Sequence, residues 1–371
     1  MGDDERRRAT LRDVARAAGV SHTTVSNAFS RPDQLSAGLR ERVLATARGL
    51  AYAGPDPAAR SLRTGRHGAL GLVFSEDLPY AFADPTAIQF LQGVAQACQE
   101  RRANLLLIAT RAEGERADPA FDSPPQAVRD AAVDGFILYS LARDSPVIAP
   151  VRGRGLPLVV VDQPRFSGAP YIGVDDFGGA RKAAEHLLAL GHRRFVILSL
   201  NLKPDGGSGF ATERRIAAAT YEVSVARLRG YRAAFAVAGL SPAAAPVVEC
   251  AVSDERRARD LTAPLLAGDP ATRPTAILAM SDRLALGAVA AAREASLATP
   301  GDLSVAGFDD SIGGALAEPP LTTVRQPHAE KGRTAVEMLT APGALGERLL
   351  ATELIVRAST GPAPPRAPPP Q

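Results

Sequence analysis

Residues 10–52 read TLRDVARAAGVSHTTVSNAFSRPDQLSAGLRERVLATARGLAY, and the spacing of their apolar side chains predicts three short helices. Thr10 is suited to N-cap the first, in which Leu11, Val14, Ala15 and Ala18 recur at i, i+3, i+4 and i+7, the spacing of one buried face. Gly19 ends it. Ser21 reads as the cap of the second, where Val25, Ala28 and Phe29 face inward and His22, Thr23, Thr24, Ser26 and Asn27 form the polar side. Two short helices joined by a tight Gly turn, the second small and polar outside, make the pattern of a helix-turn-helix whose second helix enters a major groove. Ser36 caps a third helix, and Leu39, Val43, Leu44, Ala47 and Leu50 supply the stripe that closes a small core over the other two.

After this bundle, Asp56 and Pro57 suit the cap and first position of one more helix. At roughly two turns it falls short of the ~12–15 residues an isolated helix needs in water, so it requires a partner surface to fold. The run quoted above, followed by PAARSLRTG at 57–65, resembles the DNA-binding headpiece and hinge of the lactose-repressor (LacI/GalR) family of transcriptional regulators. The resemblance implies a homodimer, or a tetramer of paired dimers, on double-stranded operator DNA. The hinge helices of two subunits would pair in the minor groove, each wedging Leu62 into a base step. The DNA contacts it implies are Thr10, Ser21, His22, Thr23, Thr24, Ser26, Asn27, Arg60 and Leu62. Asn27 suits adenine, whose N6 and N7 an amide pairs bidentately.

Length and charge agree. A chain of 371 residues is too long for one compact core. Residues 1–66 carry twelve Arg against seven acidic side chains, a net +5, while the rest carries −2. The basic part is therefore the headpiece, as an electrostatic footprint for phosphate requires, although a solvated arginine surface gives the same count. The charged stretch at 1–9 has no apolar core, so no signal peptide is expected, and no later run is long enough to span a bilayer; a cytoplasmic protein follows. Cys98 and Cys250 lie far apart on apolar stretches and read as buried thiols, and the five His lack metal-ligand spacing. No cofactor is expected.

From residue 66 onward short β-type runs alternate with amphipathic helices, the pattern of parallel sheets built from βαβ units. Strands are expected at 71–74, 105–109, 135–139 and 157–161, with a helix at 86–101 and another at 178–190 that Asp176 caps. A second cycle has strands at 195–200, 247–251, 275–280 and 303–307 and helices at 226–238, 255–266 and 284–295. The chain is expected to cross back near 321–326 and to end its fold at 353–357. Two such lobes resemble the family's effector domain, the periplasmic-binding-protein type I fold. The expected organisation is a basic arm at 1–9, a helix-turn-helix domain at 10–54, a hinge at 55–66, a two-lobed effector and dimerisation domain at 67–359, and a disordered Pro-rich tail at 360–371.

In open α/β sheets ligands bind outside the carboxyl ends of strands, and two lobes set two such edges across one cleft. That rule selects Ser75, Tyr80, Phe82 and Asp84 after the first strand, Tyr139 and Ser140 after a later one, and Asp162 and Gln163 after another. In the second lobe it selects Arg227, Asp282 and Phe308. By resemblance, Arg227 and Asp282 hold the family's most regular effector contacts; the bland alternative makes Arg227 a surface residue and Asp282 a helix cap. Asp162, Asp175, Asp176 and Asp309 read as caps or strand-end acceptors. Residues 201–224 exceed the family's usual connection, as a lid, a mobile loop or a contact surface, and Val252 stands where the family often stacks an aromatic on its ligand. A sugar or sugar-derived effector leads, with a purine or other small metabolite open.

Two other classes fit less well. A solute-binding protein of a transport system shares the two lobes but needs an export signal and has no use for a helix-turn-helix. An enzyme is not expected: there is no G-x-S-x-G elbow, P-loop or G-x-G-x-x-G.

Overall fold

The computed structural model describes residues 9–54, 65–110, 124–341 and 346–365. The chain divides into two compact units, the first ending at His67. The hinge expected at 55–66, with Arg60 and Leu62, lies almost wholly outside the described residues, as does the arm at 1–8.

In the first unit, α1 (Leu11–Ala18), α2 (His22–Ser30), a 3-10 turn (Pro32–Gln34) and α3 (Ala37–Gly49) follow the predicted order. Each helix start is set by a side chain that satisfies an otherwise orphaned N–H. Thr10 forms a capping box with Asp13, Ser21 accepts from Thr24 N at 3.0 Å, and Ser36 accepts from Leu39 N at 3.4 Å. Gly19, at φ 64, closes α1 in the left-handed conformation that only Gly adopts without strain. Val14, Ala15, Val25, Ala28, Val43 and Ala47 form the core. Leu50 is exposed rather than part of the stripe: α3 ends before it, and Tyr52 closes the core instead, its ring edge-on to Phe29.

The second unit runs β1 (Ala69–Phe74), α4 (Leu78–Ala83), α5 (Pro85–Glu100), β2 (Asn104–Ala109), α6 (Pro124–Asp130), β3 (Phe136–Tyr139), α7 (Ile148–Gly153), β4 (Leu158–Val161), β5 (Tyr171–Val174) and α8 (Asp176–Ala189). It continues through β6 (Phe195–Ser199), β7 (Gly209–Phe210), α9 (Glu213–Ala217), α10 (Glu222–Val237), β8 (Val247–Glu249), α11 (Glu255–Leu266), β9 (Ala276–Ala279) and α12 (Asp282–Glu294). It closes with β10 (Ser304–Asp309), α13 (Ile312–Leu316), β11 (Thr322–Arg325), α14 (His328–Thr340), β12 (Glu347–Leu350) and β13 (Glu353–Ile355).

One sheet is six-stranded and wholly parallel, in the order β12-β5-β4-β3-β1-β2. The other is seven-stranded, β13-β11-β10-β9-β6-β8-β7, with antiparallel strands only at its two edges. Both have helices on their two faces, which is why their central strands read as continuous apolar runs rather than alternating ones. The chain passes between lobes after β5, after β11 and between β12 and β13. The second passage brings α14 back onto α5 of the first lobe at a close crossing. A Cβ on Gly93 would collide with the Ala329 backbone and one on Gly332 with the Phe90 backbone, so no larger residue fits there.

Several expectations are corrected. Asp175, not Asp176, caps α8, accepting from Gly178 N at 2.8 Å. Strands β5, β7 and β12 were not anticipated, and α10 begins at Glu222 rather than 226. The start of the tail is packed: Gly361 N donates to Ser304 Oγ at 3.0 Å and Ala363 N to Leu190 O at 2.8 Å. Residues 366–371 lie outside the described residues. Cys98 and Cys250 are buried and unbridged. Among the described residues no helix is long and apolar enough to cross a membrane.

Candidate effector cavity and DNA-reading helix

Parallel strands from both sheets end at one cavity of about 150 Å³. Phe74 and Tyr139 end β1 and β3, Asp162 follows β4, Leu200 follows β6, Met280 follows β9 and Asp309 ends β10; Gln326, His328 and Lys331, from the segment that crosses between lobes, complete the wall. This is where the strand-end rule puts a ligand.

Its polar groups are held in pairs. Arg227, 4 % exposed, donates from Nε to Asp176 Oδ1 at 2.8 Å and from Nη1 to Met280 O, with its guanidinium 3.6 Å from the centre of the Phe308 ring. Burial disfavours the charge on this guanidinium, but the Asp176 and Asp309 carboxylates outweigh that and hold its pKa above the ordinary value. On the opposite side Lys331, 1 % exposed, donates to Asp162 Oδ1 at 2.7 Å and to Gln326 Oε1 at 3.2 Å. Ser140 Oγ donates to the other Asp162 oxygen at 3.2 Å.

Asp309 accepts from Gln326 Nε2 at 2.7 Å; burial pushes its carboxyl well above the usual range despite the nearby Arg227. His328 is pushed the other way, first by burial and then by the Lys331 and Arg227 cations, so its ring is neutral. Neither ring nitrogen has a hydrogen-bond partner among the described residues. Glu76, also on the cavity wall, is pushed up to about 7 by burial and by Asp77 and Asp84. The Tyr80 hydroxyl donates across the cleft to Ser253 O at 3.3 Å.

Ser75, Tyr80, Asp84, Tyr139 and Arg227 thus line the cavity as expected from sequence, and three other candidates do not. Phe82 is 57 % exposed on α4. Phe308 lies wholly in the core as the platform under Arg227. Asp282 is completely buried behind the cavity, accepting from Ser311 N at 2.7 Å and from Thr323 Oγ1 at 2.5 Å. It is not the helix cap either: Ser281 caps α12, accepting from Leu284 N at 3.2 Å, and it is Ser281 that lines the cavity.

Of the two roles expected for Asp162, Asp176 and Asp309, none is a cap and all are acceptors, Asp162 from Lys331 and Ser140, Asp309 from Gln326 and Asp176 from Arg227; Asp162 and Asp309 also line the cavity. Sequence reasoning missed Lys331, His328, Gln326 and Glu76. The available signal was the His328–Lys331 spacing of three on the first turn of a helix that follows a crossover. The long segment 201–224 is folded. Strand β7 pairs with β8, Thr212 caps α9, and Arg215 bridges Asp205 to the buried Glu249, whose other oxygen accepts from Leu202 N at 2.7 Å. Asn201, Tyr221, Val223 and Ser224 from this segment line the cavity, opposite Val252.

In the headpiece the Thr10 and Ser21 hydroxyls are engaged as caps, and Ser26 O accepts from Ser30 Oγ at 2.8 Å. His22 and Thr23 are exposed, and Thr24, Ser26 and Asn27 are half-buried. Asn27 Nδ2 donates to Gln34 Oε1 at 3.1 Å.

Comparison with known proteins agrees with this architecture. Residues 10–54 match the model of bacterial regulatory proteins of the lacI family, and residues 184–360 match a periplasmic binding protein-like domain. The HTH-type transcriptional regulator Rv3575c of Mycobacterium tuberculosis is 43 % identical over 98 % of this chain and 99 % of its own length. The chain belongs to the LacI family. It is a DNA-binding transcriptional regulator with a periplasmic-binding-protein-like effector domain, as its LacI relatives are. Among solved LacI-family structures, the lac repressor dimer bound to operator and the anti-inducer ONPF superposes with a TM-score of 0.76 at 26 % identity, covering 96 % of this chain and 100 % of that one. The CelR–cellobiose complex superposes at 0.65 with 29 % identity, covering 95 % and 100 %.

Proposed function

We propose that this regulator is a repressor that reads a palindromic operator as a homodimer and changes its DNA affinity when a small polyhydroxylated metabolite, sugar-like in its hydrogen bonding, enters the cavity. The observation that carries the reading is the cavity wall, in which Ser75, Tyr80, Asp84, Tyr139 and Arg227 stand with the Asp162–Lys331 pair and with His328, whose ring nitrogens have no hydrogen-bond partner among the described residues. Such a surface offers both donors and acceptors, which suits hydroxyl groups that act as both. The solved relatives with operator and with cellobiose support the same assignment.

On the DNA side, His22, Thr23 and Asn27 read base edges, with Thr10, Ser21, Thr24, Ser26 and Arg60 toward the backbone and Leu62 in the minor groove. A ligand shifts a conformational equilibrium only by its differential affinity for the two states, so contacts from both lobes are what couple the cavity to DNA. The test joins a gel shift on the promoter beside the chain's own gene to a melting screen of mono- and disaccharides. A ligand at ~100 times its dissociation constant adds about 2.7 kcal/mol to the folded state. The expected result is a sugar that both raises the melting temperature and alters the shift; a bound promoter indifferent to every sugar, alongside stabilisation by purines, would overturn the sugar assignment.

A further inference from the structure

The recognition helix is followed at once by the Pro32–Gln34 turn, and the two are joined by more than chain continuity. Arg31 N donates to Asn27 O at 2.8 Å, Gln34 N donates to Arg31 O at 3.1 Å, and Leu35, just beyond the turn, packs against the headpiece core. The turn therefore hangs from the carbonyl of Asn27 and is anchored at its far end. From that position Gln34, itself exposed, places Oε1 3.1 Å from Asn27 Nδ2.

We infer that Gln34 is a positioning residue for base readout, holding the Asn27 amide in the orientation that reads a base. The inference rests on the assignment of Asn27 as a base contact. A side-chain amide on a helix surface rotates about a broad terminal torsion, and freezing it on binding costs entropy. The Asn27 nitrogen carries two hydrogens. Donation of one to Gln34 leaves the other, with Oδ1, free for a bidentate pair with N7 and N6 of adenine, while fixing the plane in which that pair must form. Gln34 thus acts without touching the base, in the way an outer partner orients a ligating side chain.

The test is a randomised-site selection, with relative affinities measured on the full-length chain, for wild type, Asn27→Ala, Gln34→Ala, Gln34→Glu and the double variant Asn27→Ala/Gln34→Ala. Gln34→Ala should weaken the base preference that Asn27→Ala abolishes, at the same operator position, by about three- to tenfold. In the Asn27→Ala background it should change that position no further, because the two side chains act as one unit. Gln34→Glu keeps an acceptor for Nδ2, so it should retain the preference while lowering affinity for all sequences alike through phosphate repulsion. Circular dichroism melts confirm that each headpiece is folded, as the exposure of Gln34 leads one to expect. If Asn27→Ala relaxes a position that Gln34→Ala leaves intact, or if Gln34→Ala relaxes a different position, the positioning role is overturned while the Asn27 assignment stands. If Asn27→Ala relaxes no position, the readout assignment fails and the inference falls with it.

Discussion

Replacing Arg227 by Ala probes the most heavily committed side chain in the cavity. The Arg227–Asp176 pair is 2.8 Å apart with both side chains under a tenth exposed, and the guanidinium also covers Phe308. Truncation leaves the Asp176 carboxylate buried without its counter-charge, a loss that costs about 3–5 kcal/mol in buried pairs. For a domain of this size each kcal/mol moves the midpoint by roughly 2 °C, so the effector-domain transition should fall by about 6–10 °C in differential scanning calorimetry. Burial already pushes the Asp176 carboxyl above its ordinary value with Arg227 in place. Without Arg227 that folded-state pKa rises further, and stability tied to a raised carboxyl pKa is present at low pH and lost as pH rises through it. The deficit should therefore shrink on acidification. Adding Asp176→Asn should recover part of the loss by removing the orphan charge. A variant melting within a degree of wild type, or a deficit abolished by 1 M salt, would show that the pair is not buried.

Three further outcomes are expected. Glu76 has its carboxyl raised from 4.5 to about 7, so its contribution to stability is complete below about 4.5 and lost as pH rises through 7; Glu76→Gln should flatten the wild-type loss of melting temperature between pH 5 and 7.5, and an unchanged profile would place Glu76 in solvent. Ser21→Ala removes the cap of α2 and should cost about 1 kcal/mol of headpiece stability by urea titration, while a neutral effect would mean that water replaces the cap. Leu62→Gly should lower operator affinity much further than affinity for random DNA, because headpiece phosphate contacts survive, and equal losses would refute the wedge role.

The headpiece was legible almost residue by residue, because Thr10, Gly19, Ser21 and Ser36 act through hydrogen bonds and backbone conformations only a few positions away. The central strands were legible as apolar runs between helices. The edge strand β12 was not: Glu347 and Arg348 carry no apolar alternation, and the strand exists only because the chain returns to pair with β5. Within the cavity, the strand-end rule found Ser75, Tyr139 and Asp162, whose positions depend on local register. Lys331 escaped because the helix at His328–Thr340 was itself not anticipated, and a lysine following a crossover reads as solvated. It is buried here only because α14 crosses to the other lobe and meets Asp162, 169 residues earlier. The misassignment of Asp282 has a similar origin. Sequence places an Asp at a strand-to-helix junction, but the choice between Ser281 and Asp282 as the group facing the cavity depends on Ser311 and Thr323, which occupy both Asp282 oxygens.

That exchange of roles bears on how the cavity can sense a ligand. Asp282 ties α12 to the turn before α13 and to β11, and so fixes the backbone around Asp309, which adopts φ 128 beside the cavity. A conformation that non-glycine residues rarely adopt persists only where its surroundings enforce it. The floor of the second lobe is therefore rigid. The first lobe meets the second through separable contacts that include Tyr80 to Ser253, Arg143 to Glu222, Gln163 to Val223 N at 2.8 Å, and Lys331 through Gln326 to Asp309. A ligand bonded to both the Asp162–Lys331 side and the Arg227–Asp309 side gains or loses contacts as the lobes shift across these links, whereas one held by either side alone is indifferent to the shift. Differential affinity, which any response on DNA requires, thus depends on a ligand that reaches both sides at once.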